Sequence, residues 1–289
     1  MFAKRTLDEL ALRYRLGKVD SREIFVEGIQ DKVILDHLLE VRGVRAAVYT
    51  ADTIEMPNIL LTSRGLTAPS SRSIVIATKD ELMQRNVDIS EHLFIVDRDQ
   101  EDLIATPCIN GCDATDFGSL LVHLVDEKSL RRLIVLAGRG LVAYEVFEYS
   151  IYSISRNLYL IRSAAKRISL PLRMLSPSPF IVRDKGTGMY GLAIDNYIKS
   201  CLHSCDLICR ENDLRNELDS CRSELDALRL DPRVCVNDHE LWVIIRSILK
   251  DAGDPVNRSA DDVRDLFLMS FDPEKLADTP LFRKILHSN

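Results

Sequence analysis

Four short apolar runs in the first hundred residues constrain the fold more than any other feature of the chain. Glu23-Ile24-Phe25-Val26, Ala46–Tyr49, Ile74–Ala77 and His92–Val96 each have strand length, and stretches of helical periodicity lie between them. After the first run, Val33, Ile34, His37, Leu38 and Val41 recur at helical spacing, with Asp31 placed to cap the helix start. After the third run, Lys79–Arg85 is helix-forming. Strands that alternate with helices need crossover connections. The pattern therefore predicts an α/β fold with a mostly parallel sheet flanked by helices.

Beyond the sheet region a helix is predicted through Asp116–Asp126 and a long one from Val142 to Ile168. Composition shifts near residue 170. Leu170-Pro171 and Ser176-Pro177-Ser178-Pro179 bracket short strand-like pieces, and Lys185-Gly186-Thr187-Gly188 reads as a turn between Phe180–Arg183 and Tyr190–Ile194. The expected division is residues 1–170, a catalytic domain with an N-terminal helix, and residues 171–289, a small strand insertion followed by a helical C-terminal region. Leu207, Leu214, Leu218, Cys221, Leu225 and Leu228 form a heptad seam. It suits either a helical hairpin inside the protein or a dimer contact.

The net charge of −6 excludes a general basic coat for nucleic acid, so any such contact has to be local. No apolar run reaches the roughly 18 to 20 residues of a membrane-spanning helix. The opening MFAKRTLDELALRYR has no apolar core of a secretory leader and reads as an amphipathic helix. Seven cysteines, an odd number in a chain of this length, are expected as reduced thiols in a cytoplasm. Cys201, Cys205 and Cys209, with His203 among them, stretch over two helical turns and do not suit one tetrahedral zinc, and Cys108 and Cys112 lack a second pair.

The chemistry lies in carboxylates at strand ends. Glu27 follows the first strand directly, and Asp97 and Asp99 follow the last. In an open parallel sheet the ligand crevice lies beyond the carboxyl ends of the strands. If the strand stays extended, the i, i+2 spacing puts Asp97 and Asp99 on one side. Gly28 leaves room for close approach of a phosphate. Mg²⁺ or Mn²⁺ takes hard carboxylate oxygens of this kind, and phosphodiester cleavage uses such an ion beside the scissile phosphate. Either motif alone is common; the two together at strand ends are the sharper signal.

Ile24-Phe25-Val26-Glu27-Gly28-Ile29-Gln30-Asp31-Lys32 resembles the opening motif of the TOPRIM domain in its OLD-type nuclease variant, and Phe94-Ile95-Val96-Asp97-Arg98-Asp99 resembles its Asp-x-Asp motif. Asp113–Leu121 is similar to a third segment of a TOPRIM-like family of bacteria, although Asp116-Phe117-Gly118 stands where the family has Asp-Leu-Glu. Val236–Leu241 is similar to its Gly-His-Asp-Leu segment, with the Gly and Asp shifted to Asp238 and Glu240 and His239 kept. The resemblance spans about residues 20 to 250, and length and layout resemble the effector nucleases of PARIS anti-phage defence within that family. It implies a metal-dependent, toxin-like RNase that cleaves tRNA. It also implies an ABC-type ATPase partner that holds the effector in check, and a homodimer when active. Glu27, Asp97 and Asp99 are the implied metal ligands, with Glu27 also a candidate general base.

For the remaining residues two readings stand side by side. His239 is a candidate general acid or a member of an acidic capping cluster. Lys32 is a candidate phosphate contact or a solvated lysine at a helix start, and Arg98 is expected to point away from the aspartates and pair with a neighbouring carboxylate. Arg131, Arg132 and Arg139 form one candidate substrate patch. Arg156, Arg162, Lys166 and Arg167, interleaved with Tyr152 and Tyr159, form another. The chain carries no P-loop, so ATP hydrolysis is expected of a partner. DNA nicking and a non-catalytic module that docks on an ATPase are the rival functions.

Overall fold

A computed structural model describes residues 4–18, 21–66, 70–99, 102–104, 111–254, 256, 258–269, 271–272, 276 and 279–287. Cys108 lies outside them. The strands are β1 (Arg5–Thr6), β2 (Arg22–Val26), β3 (Ala46–Thr50), β4 (Ile54–Glu55), β5 (Leu93–Val96), β6 (Asp113–Ala114), β7 (Ile181–Arg183) and β8 (Tyr190–Leu192). The helices are α1 (Leu7–Arg15), α2 (Ile29–Arg42), α3 (Asn58–Ser63), α4 (Ser71–Gln84), α5 (Glu127–Leu136), α6 (Tyr144–Arg167), α7 (Ile194–Ser204), α8 (Glu211–Leu228), α9 (Asp238–Asp251), α10 (Ala260–Leu268) and α11 (Pro280–His287). The chain forms two compact units. The first comprises Met1–Arg98, Thr106–Asp116 and Pro273–Asn289, and the second Asp99–Ala105 and Phe117–Asp272. Residue 170 thus falls inside the second unit, between α6 and the β7–β8 hairpin.

The first unit is α/β. Its main sheet has the order β3-β2-β5-β6 with every pairing parallel, flanked by helices, and β1 pairs with β4 in a separate parallel ribbon. The core places Phe25 on Phe94 across β2 and β5, rings stacked with centroids 4.8 Å apart, and adds Leu10, Val75, Ile76 and Leu82 from α1 and α4. Helix starts are capped as short polar residues dictate. Thr6 and Glu9 form a reciprocal capping box on α1, and the Asp31 carboxylate accepts from the Gly28 N–H at 3.0 Å on α2. Gly43, at φ 64°, ends α2 in the left-handed conformation that costs glycine least.

Three sequence expectations fail here for physical reasons. Ile74–Ala77 is the middle of α4, not a strand. A short apolar run does not distinguish the two, and Ser70, which accepts from the Ser73 N–H, starts a helix that continues through Gln84. The face of α2 is also shifted: Ile34, Leu35, Leu38 and Leu39 are buried, whereas Val33 and Val41 are 56% and 48% exposed. No α-helix spans Asp116–Asp126. Only a 3₁₀ turn at Leu121–Leu124 forms, and Asp126 caps α5 through the Ser129 N–H.

The second unit is mainly helical. α6 is its central element, with Phe147, Ile151, Ile154, Leu158 and Ile161 fully buried. The heptad residues Leu214, Leu218, Cys221 and Leu225 are buried where α8 packs on α6, so the seam is an internal helix contact, and Leu228 at its end is exposed. The turn at residues 185–187 closes the antiparallel β7–β8 hairpin as the sequence predicts. The supposed cysteine stripe is broken, because α7 ends at Ser204. Cys201 is buried, Cys209 is exposed, and the described cysteines are free thiols. No helix among the described residues is long and apolar enough to cross a membrane.

Candidate active site

The sheet order locates a crevice. From β2 the chain crosses to β3 on one side, then returns through α3 and α4 to β5 on the other side of β2. The strand order reverses between β2 and β5, and at such a switch point the two connections leave in opposite directions and open a cleft at the carboxyl ends. Glu27 and Asp97 are the first residues beyond those two strands. They are brought together: the Glu27 Oε1 accepts from the Asp97 backbone N–H at 2.9 Å. Val26 pairs with Thr50 on the outer strand, and the Thr50 hydroxyl donates to Asp52, so a further carboxylate stands on the same edge.

Arg72, which the sequence reading passes over, belongs to this edge. In the first turn of α4, its guanidinium donates to the main-chain carbonyl of Asp97. The misread α4 hid it: a residue ahead of a supposed strand has no reason to face the crevice. Once α4 is a helix beginning at Ser71, Arg72 stands at its N-terminal end.

Asp99 is the first residue of the second unit, and its backbone is left-handed at φ 47°. β5 stops at Val96, so the extended i, i+2 alternation that would align Asp97 with Asp99 does not hold through this turn. Aspartate is among the few side chains that accept this conformation readily. Arg98 donates through its main-chain N–H to the Thr115 hydroxyl (3.0 Å) and through its guanidinium to the Asp116 carbonyl (3.2 Å). Lys32 is engaged at home: its ammonium bonds Asp36 at 2.7 Å and the Val48 carbonyl at 2.9 Å, tying α2 to β3. The chain matches no protein-family model and no curated protein.

The remaining candidates lie in the second unit. His239 is exposed in the first turn of α9, where its N–H donates to the Asn237 side chain at 3.1 Å, as the capping reading requires. Its neighbour Glu240 accepts from Arg162 at 2.6 Å; burial raises the Glu240 pKa, and Arg162 opposes that rise. Arg167 pairs with Glu217 and Glu224 on α8, Arg156 pairs with Asp226, and Tyr159 is buried. This stretch of α6 is therefore a packing network and not an open basic patch; Lys166 alone of its four cations is exposed. On α5, Arg131 pairs with Glu127 at 2.8 Å and Glu145 at 3.5 Å and lies over the Tyr144 ring, while Arg132 is exposed.

Gly118 is required by sterics. A Cβ at this position would lie 1.9 Å from the Val236 carbonyl oxygen, so no side chain fits. The third and fourth motif segments are packed backbone to backbone, and a glutamate there is excluded.

Two adjacent oxygen-donor carboxylates suit Mg²⁺, which takes one or two carboxylates and completes its shell with water and substrate phosphate. Among the described residues no three His, Cys, Asp or Glu side chains are grouped to hold a metal ion, so a closed protein cage is not formed. The donor set fits an open site on Glu27 and Asp97.

Proposed function

We propose that this chain is a Mg²⁺-dependent phosphodiesterase of TOPRIM-like type that cleaves RNA, with tRNA as its substrate class. The observation that carries the reading is the contact of Glu27 with Asp97 at the switch point between β2 and β5. Carboxylates gathered beyond the carboxyl ends of adjacent strands, one of them held by a main-chain N–H, stand where a metal-assisted reaction needs them.

Glu27 and Asp97 would hold the ion, with Asp99 as the third residue of the motif set. When bound, the ion offsets phosphate charge and lowers the pKa of an attacking water. Glu27 keeps an orientation fixed by the Asp97 N–H and accepts the proton of the nucleophile on its other oxygen. The Arg72 guanidinium, anchored on the Asp97 carbonyl, donates to a non-bridging phosphate oxygen and positions the scissile bond. Arg132 and Lys166 supply exposed charge for the RNA backbone, with Arg131, Arg162 and Lys32 limited by the pairs they already make. An ABC-type ATPase partner, a homodimeric active state and a cytoplasmic location belong to the same proposal and are supported by the motif resemblance.

The test is parallel incubation of total tRNA and supercoiled plasmid with Mg²⁺ or Mn²⁺, wild type against Glu27→Ala. Discrete tRNA fragments made by wild type alone are expected. Plasmid nicking without tRNA cleavage moves the chain to the DNA-cutting class. Cleavage by the Glu27→Ala protein removes this edge from the chemistry, and inert wild-type protein in both assays points to the non-catalytic docking module.

A further inference from the structure

A cavity of about 820 Å³ in the second unit lies between the first half of α6, the carboxyl end of α8 and the start of α5. That volume is in the range of small-molecule sites. We infer that it binds an organic cation, a guanidinium or primary ammonium group on an apolar stem.

Three observations point the same way. The lining holds five carboxylates against three guanidiniums, and two of those guanidiniums are already neutralised within the wall: Arg156 by Asp226, and Arg233 by Asp231 at 2.8 Å. The third, Arg229, is exposed at the rim in a left-handed turn at φ 49°. Arg131, outside the lining, pairs with Glu127 at 2.8 Å, so the balance is five carboxylates against four guanidiniums; the cavity keeps an excess of one negative charge and is unsuited to a phosphate-bearing ligand.

The second observation is the end of α8. Its last turn carries no basic side chain, and no hydrogen bond among the described residues closes its final carbonyls. A helix end left this way presents the negative pole of its dipole, and here that end borders the cavity. The third is aromatic. Tyr149 and Tyr152, three residues apart on one side of α6, line the same space, with Tyr149 56% exposed at the opening. Tyrosine faces attract desolvated cations, and Leu225, Leu230 and Pro232 supply apolar surface for a methylene stem.

Two sources carry this chemistry, a free polyamine and the arginine side chain of a basic peptide. The experiment is calorimetric titration of the full chain with spermidine and, separately, with a hexa-arginine peptide, using adenosine monophosphate as the anionic control. Saturable binding of one of the two cationic probes is expected, and which one binds identifies the source. A Glu148→Gln/Tyr149→Ala variant should bind about tenfold more weakly with an unchanged melting temperature. Glu55→Gln, a charge-matched change in the first unit, should bind as wild type does. Equal weakening by Glu55→Gln, equal binding by the cavity variant, no saturable binding of either cation, or binding of the monophosphate alone would each overturn the assignment.

Discussion

The carboxyl edge of the sheet and the outer side of α6 were both candidate sites, and they arrange charge in opposite ways. At the sheet edge the Glu27 carboxylate accepts from the Asp97 main-chain N–H, and Asp52 stands beyond the neighbouring strand. Along α6, Arg156, Arg162 and Arg167 each meet an acidic residue of α8 or α9, opposite with opposite. The second arrangement is explained by packing alone, because partly buried charges need partners. The first gathers acidic groups at the strand ends, the place where an open parallel sheet binds ligands. Basic residues in a sequence show charge but not whether it is already spent.

The sharpest way to break this contrast is Glu27→Ala. If the sheet edge is the site, cleavage falls at least about a thousandfold while the protein still folds, losing about 1 kcal/mol with the hydrogen bond from the Asp97 N–H. Gly118→Ala should do the reverse. It forces a Cβ onto the Val236 carbonyl and should cost about 3 kcal/mol in denaturant unfolding, and Gly118→Glu should be worse still. Arg162→Ala leaves Glu240 partly buried without its partner. The expected loss is about 2 kcal/mol with cleavage per folded molecule unchanged, and reduced turnover instead would return α6 to the substrate surface.

The last test is a pH dependence. Burial, with Arg233 nearby, pushes His123 down to about 3, so the folded second unit holds it neutral. The unfolded chain takes up that proton near pH 6.5, so the contribution is complete above that value and is lost as pH falls toward 3. The slope is about 1.4 kcal/mol per pH unit within that window, and His123→Phe should flatten it in acid unfolding curves.

Much of the fold was legible because strand length and helical period are local. β2, β3, β5, α6 and the β7–β8 hairpin lie where their residues predict. The errors arose where local pattern is ambiguous. Ile74–Ala77 has strand composition, but Ser70 and the following Lys79–Gln84 make one continuous helix, and Arg72 was lost with that misreading. Glu27 and Asp97 were found because a carboxylate directly after an apolar strand is visible in one dimension. Their meeting was not visible, since it depends on β5 pairing with β2 and not with β3. The partners of the α6 arginines lie 50 to 78 residues away and could not be assigned from sequence.

The first unit is completed by α11. Arg22, at the start of β2, donates to the carbonyls of Lys284 (3.1 Å) and Ile285 (2.7 Å), and the Leu281 N–H donates to Asp116 across 165 residues of chain. On a ribosome, that last stretch emerges roughly 10 to 30 s after Asp116 does. The order of synthesis therefore separates the parts of the sheet edge in time: the nascent chain carries both carboxylates long before the helix that finishes their scaffold exists.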